Sequence, residues 1–296
     1  MRAYTDPYAL RTHHRDGPMP PQHSKSGDPA RSLALLWRTQ EPASRRRGRP
    51  GLSVDRIVLA ATEIADAEGL AALSMRRVAE ALGVGTMSLY TYVPGKGELI
   101  DLMVDAAYAD LDSGDRSGGW RERLRRIANA NRDLYIRHPW ILQTITTRLL
   151  GPNLIAKYDH ELSAVDGLGL SEVEMDSTVN LVNGYVESTA RQTLGAEQVA
   201  RESGMDDEQW WRTYDPLLAA LIDDSQYPVA SRVGSAVGAA HQAVYDPDHE
   251  FSFGLERVLD GVQVLVDARS AERPADSAAP ATGPPGACGP AARPAT

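Results

Sequence analysis

Apolar residues recur at helical spacing along most of this chain, and the breaks between runs fall on serine, glycine and proline. Ser53 precedes a run in which Ile57, Ala61, Ile64 and Ala65 share one face, and Gly69 follows it. A hydroxyl at the N-cap and a glycine past the last turn are the expected boundaries of a helix. Ser74 opens a second run with Met75, Val78, Ala79 and Leu82 on one stripe and Gly83 at its end. A short turn beginning Gly83-Val84 leads into a third segment around Thr86 to Tyr92, so the spacing predicts a helix, a tight glycine turn and a second helix.

Pro94-Gly95 breaks the chain again, and Leu99, Leu102, Met103 and Ala106 then resume the period as a longer connecting helix over about 98–110. Residues 112–119 (DSGDRSGG) are turn-rich. Trp120, Leu124, Ile127, Asn131 and Leu134 then mark a long amphipathic helix that ends before His138-Pro139. Further helices are expected over 140–150, 153–167, 171–195, 207–224, 229–245 and 250–270. No strand-like alternation and no internal repeat interrupts them. The fold class is therefore all-α: a three-helix helix-turn-helix domain at 45–98 and a larger helical domain at 99–271.

Both ends read differently. Residues 1–44 are rich in Pro, His, Arg and Ser and are expected to form a disordered extension, although 31–40 (RSLALLWRTQ) allow a short helix, transient or otherwise. The Pro/Ala/Gly-rich tail at 272–296 lacks the apolar content to bury a core. Cys288, the one cysteine, lies in that tail, which excludes a disulfide framework and a cysteine metal site. No stretch is apolar enough to span a bilayer and the N-terminus is polar, so a cytoplasmic protein without membrane attachment is expected.

The formal charge of −9 argues against a nucleic-acid binder until its distribution is considered. Residues 1–50 carry ten Lys/Arg against four Asp/Glu, a balance of +6 that leaves −15 for everything downstream. A basic arm on an acidic body can present one end to phosphates and hold the other away.

The third helical segment carries the chemistry. If Val84, Leu89 and Val93 are buried, then Thr86, Met87, Ser88, Tyr90, Thr91 and Tyr92 fall largely on the other side. Hydroxyls can donate or accept at base edges in a major groove, and a thioether can touch a thymine methyl. Tyr90, Tyr92 and Lys96 supply donors for flanking phosphates, and Arg76 reaches a guanine edge or a phosphate. A small packed core would also explain the three helices. Upstream, Arg45, Arg46, Arg47 and Arg49 form a compact arm, either a solvated charge run or, since Arg-Gly-Arg-Pro resembles an AT-hook core, a minor-groove contact.

The run LSMRRVAEALGVGTMSLYTYVPGKGELIDLM resembles the N-terminal domain of tetracycline-repressor (TetR) family regulators, over about residues 53–105. The resemblance rests on several elements at fixed spacing: the capped Arg76 helix, Leu82-Gly83-Val84, Leu89-Tyr90, Tyr92, Lys96 and Leu99. It implies groove contacts from Arg76, Thr86, Met87 and Ser88 and backbone contacts from Tyr90, Tyr92 and Lys96. Thr86 and Met87 depart from the bidentate Gln or Arg useful in a groove.

The resemblance also implies that the body forms a homodimer and holds an inducer pocket. Stripes at 171–195 (Met175, Val179, Val182, Val186, Ala190) and 250–270 (Leu255, Val258, Leu259, Val262, Leu265, Val266) suit either a dimer bundle or an intramolecular core. Candidate pocket residues are His138, Trp140, Arg148, Asn180, Tyr185, Glu187, Trp211 and Tyr214, although most suit ordinary core or surface positions equally well. The expected function is a repressor that binds a palindromic DNA operator and is released by a small-molecule effector, which would shift the connecting helix. An effector-independent architectural DNA-binding protein is the alternative. An enzyme is a remote third: HExxH, CxxC, a phosphate-binding glycine loop and GxSxG are missing. No cofactor is expected. His160, His241 and His249 stand isolated, and Asp159-His160-Glu161 points to different helix faces.

Overall fold

The computed structural model of the protein describes residues 29–38, 51–109, 111, 116–144, 150–243 and 245–272. Arg45, Arg46, Arg47, Arg49 and Arg148 lie outside the described residues, as does the tail beyond 272. Among the described residues the elements are α1 (Pro29–Leu36), α2 (Val54–Glu68), α3 (Met75–Leu82), α4 (Thr86–Tyr90), α5 (Lys96–Tyr108), α6 (Trp120–Arg137), α7 (Pro152–Val165), α8 (Glu172–Ser203), α9 (Asp207–Leu221), α10 (Pro228–His241) and α11 (Pro247–Glu272). Short 3-10 turns at Leu70–Ala72 and Pro139–Gln143 complete them.

The head is closed by local chemistry. Ser53 Oγ accepts the Arg56 amide at 3.2 Å, and Ser74 Oγ accepts the Arg77 amide at 3.2 Å, so both predicted caps form. Gly83 adopts the left-handed conformation (φ 66°, ψ 32°) that a Cβ would disfavour. The Val84 amide then returns to the Ala79 carbonyl at 3.0 Å, turning the chain sharply into α4. Ile57, Ala61, Val78, Leu89 and Val93 are all fully buried, which fixes α2, α3 and α4 as one unit.

The body is a bundle in which α8 packs against α6 and α11, with α7 lying across α5 and α6. Val179, Val182, Val186 and Ala190 of α8 and Leu255, Leu259 and Val262 of α11 bury the two stripes read from the sequence. Helix α8 begins with a capping box, Ser171 Oγ accepting the Glu174 amide while Glu174 accepts the Ser171 amide. It runs through Gly195 and ends at Gly204, whose φ of 67° supplies the left-handed stop. Helix α5 joins head to body.

Three expectations on segments differ. The segment expected to be a helix over 140–150 opens as a 3-10 turn at Pro139–Gln143, because Trp140, Ile141 and Leu142 are all buried and an α-helix cannot bury three successive side chains on one face. Within the extension at 1–44, residues 29–36 form α1, which packs on α5 through the buried Leu36. The third head helix is shorter than 86–92, ending at Tyr90. No helix among the described residues is long and apolar enough to cross a membrane.

Candidate functional site

Leu89 and Val93 anchor the short α4, and everything between them and Gly85 that does not point inward faces solvent. Met87 is 78% exposed, Ser88, Tyr90 and Thr91 are exposed, and Thr86 is half-buried. Tyr92 is half-buried and packs against the core. Arg76 projects from α3 beside this face and holds Glu80 at 2.8 Å, and that pairing raises the guanidinium pKa further. Such an exposed pair is held weakly and exchanges readily for another anion. Lys96 opens α5 with its Nζ 3.5 Å from the Leu70 carbonyl, and partial burial lowers its pKa. A thioether, three hydroxyls, a phenol and two cations thus converge on one side of a rigid two-helix corner. That is a surface suited to a groove and its flanking phosphates.

The body contains a cavity of about 300 Å³ lined from three helices. Tyr108, Ala109 and Leu111 come from the end of α5 and its continuation, Arg123, Arg126, Ile127, Ala130 and Asn131 from α6, and Asn153, Ala156, Lys157, His160 and Glu161 from α7. Glu161 is almost fully buried, and a buried carboxylate needs compensation. It receives it from Lys157 one turn earlier, from Asn131 Nδ2 at 2.9 Å and from Asn183 Nδ2 at 3.0 Å. Tyr108 and Tyr135 are buried as well, and burial pushes both phenols well above their usual range.

The cavity is tied to the head through α5. Asp105 accepts the Asn153 and Leu154 amides, each at 3.1 Å, and the Asn153 side chain at 3.1 Å, so a carboxylate of the connecting helix caps α7. Burial raises its pKa while those bonds hold it down. Gly151 allows this approach, since a Cβ there would run into the Asp105 carboxylate. Trp37, just past α1, donates from Nε1 to the Leu150 carbonyl at 2.9 Å, and Arg38 pairs with Asp55 of α2 at 2.9 Å.

Of the residues expected at a pocket, the seven that are described do not line this cavity. His138 Nδ1 and Trp140 Nε1 both sit 2.7 Å from Asp66 Oδ1, clamping α2 to the body instead of lining the cavity. Asn180 bonds Asp176 at 3.0 Å on an exposed face. Tyr185 donates to the Glu250 carbonyl at 2.7 Å and stacks on Phe251, an α8 to α11 contact. Glu187 stands 3.8 Å from Arg191, one turn on in α8. Trp211 presses on Gly238 of α10, and Tyr214 stacks on Trp210 at 4.6 Å. The cavity residues escaped the sequence reading because they are spread over three helices, although Asn131 within an apolar stripe was a readable signal.

Comparison with known proteins bears on both sites. Residues 57–103 match the model of bacterial regulatory proteins of the tetR family, and residues 114–266 match the tetracyclin repressor-like C-terminal domain. The HTH-type transcriptional repressor DrrR1 of Streptomyces coeruleorubidus is 44% identical over 255 residues, which is 84% of this chain and 91% of that protein. An HTH-type transcriptional regulator of Saccharopolyspora erythraea is 32% identical over 227 residues, 75% of this chain and 91% of that one. The crystal structure of ActR, a TetR family protein of Streptomyces coelicolor, in complex with actinorhodin is 26% identical with a TM-score of 0.60, covering 73% of this chain and 97% of that one.

Proposed function

The chain belongs to the TetR family of bacterial regulatory proteins and is a DNA-binding transcriptional regulator, and we propose that it is a repressor whose homodimer binds a palindromic operator and is released by a small molecule entering the α5–α6–α7 cavity. The outward face of α4 is the observation that carries DNA reading. A methionine 78% exposed between a threonine and a serine is poorly placed in water, and it gains a partner in a groove lined by thymine methyls. In this reading Arg76, Thr86, Met87 and Ser88 touch bases or groove walls, and Tyr90, Thr91, Tyr92 and Lys96 touch or position the backbone.

The dimer is supported by apolar surface that the single chain leaves open. Val173, Leu181 and Val199 of α8 and Val264 of α11 are exposed on faces turned from the core, and α9 buries none of its residues. A second copy using about 171–195 and 250–270 would cover α8 and α11 and place two reading helices one turn of DNA apart. The effector reading is supported by the cavity and by DrrR1 and ActR, the one a repressor by name and the other solved with actinorhodin bound. Occupation would push on α7, and Asp105 would pass the displacement to α5 and the head. A cytoplasmic location and the absence of catalysis belong to the same reading.

One experiment tests it. DNA selected from a random pool should converge on a palindrome bound by a species of twice 32.1 kDa. Compounds that raise the melting temperature should then release that DNA in a mobility-shift series. Equal affinity for the selected DNA with and without a saturating stabiliser overturns the effector reading and leaves DNA binding standing.

A further inference from the structure

The charges in the cavity do not balance, and the imbalance has a direction. Among the described residues lining it, three cationic side chains, Arg123, Arg126 and Lys157, face one carboxylate, Glu161. Lys157 and Glu161 are spent on each other, with Asn131 and Asn183 filling the remaining carboxylate positions. Arg126 is engaged at the rim by Glu122 at 3.6 Å and by the Ser117 carbonyl. Arg123 is different. Its terminal nitrogen donates to the neutral Ser163 hydroxyl at 2.8 Å, its Nε is buried without a hydrogen-bond partner, and among the described residues no carboxylate pairs with it.

Arg123 is half-buried, with a shielded, unused Nε and only a neutral hydroxyl on its terminal nitrogen, so its charge is best offset by an acidic group placed beside it. A planar acid is the group that does so best, because its two oxygens match the guanidinium fork. Among the described residues, a cationic ligand would meet Arg123 and Arg126 with no free carboxylate to offset them. The remaining walls, Tyr108, Leu111, Ile127, Ala130 and Ala156, are apolar or aromatic and suit a flat hydrocarbon skeleton.

We propose that the cavity selects aromatic ligands bearing an acidic group, with Arg123 as the residue that pairs with the acid. The proposal rests on the cavity reading above and adds the chemical class. Neutral aromatics of the same shape bind more weakly, and aliphatic or aromatic amines are rejected.

Two fluorescent probes of one skeleton separate these outcomes in the full-length protein: 1-anilinonaphthalene-8-sulfonate, which is anionic, and N-phenyl-1-naphthylamine, which is its neutral parent. The expected result is one anionic probe per chain, at least tenfold tighter than the neutral one. Arg123→Gln removes that preference, Arg123→Lys keeps part of it, and the affinity for the neutral probe does not change. Ala130→Trp, which fills the cavity, abolishes binding of both, and melting curves of all three variants show that they remain folded. An Arg123→Gln variant that binds the anionic probe within twofold of the parent protein overturns the proposal. So does equal affinity for the two probes, with the cavity reading surviving. If neither probe binds, or if Ala130→Trp leaves both bound, the cavity reading falls with it.

Discussion

In the head, polar side chains point outward from α4 while Leu89 and Val93 hold it from within; in the body, Asn131, Lys157, Glu161 and Asn183 turn inward and bond to one another. The two arrangements place function and stability in different relations. Exposed groups in the head can change without disturbing the fold, so recognition there is free to drift. Polar groups in the body hold one another against the cost of burial, so altering the cavity floor alters stability as well.

The contrast breaks most readily at Glu161. Replacing it by Ala leaves Lys157 buried without its carboxylate and should cost about 3–5 kcal/mol in chemical denaturation. A loss no greater than that of a surface substitution would show that the network is solvated. Leu89→Ala should cost about 2–5 kcal/mol, confined to the head. DNA binding should vanish while hydrogen exchange in α8 and α11 stays slow, and coupled loss of both regions would show that head and body unfold together.

Within the head the contrast sharpens into two classes. Thr86→Ala or Met87→Ala should change the preferred base at one position of the selected DNA, by about 1–3 kcal/mol per base pair. Lys96→Ala and Tyr90→Ala should weaken all sequences alike and reduce the salt dependence of binding. Uniform loss from both classes would contradict the division between α4 and its flanks.

The smallest effect concerns the ion pairs that tie α11 to the bundle. Glu174 is held down to about 2 by Arg269 and the Ser171 amide, and Glu256 to about 2 by Arg125 and Arg121. A carboxylate with a folded pKa below its unfolded value stabilises the fold fully above the unfolded pKa, and that contribution is lost as pH falls through the folded one. Stability should therefore decline between pH values of about 4.5 and about 2. Glu174→Gln and Glu256→Gln should each flatten that decline slightly, since these half-buried pairs at the surface are still screened by solvent. Melting curves across that range check it.

The head was legible because its signals are local. Ser53, Ser74 and Gly83 each act within four residues of themselves, and the outward set on α4 follows from one helix period. The stripes on α8 and α11 were legible for the same reason. The cavity was not, since Asn131, Glu161 and Asn183 meet only after α6, α7 and α8 pack. His138 and Trp140 show the same limit from the other side: an aromatic pair suggestive of a pocket becomes a clamp once Asp66 arrives from α2.

Gly151 gives the junction between α5 and α7 a genetic signature. Every single-nucleotide change that alters a glycine codon without ending translation adds a Cβ, and at this position that atom displaces the Asp105 carboxylate. Codon 151 is therefore where random mutagenesis should gather alleles that still occupy DNA yet no longer hear their effector, although the residue touches neither.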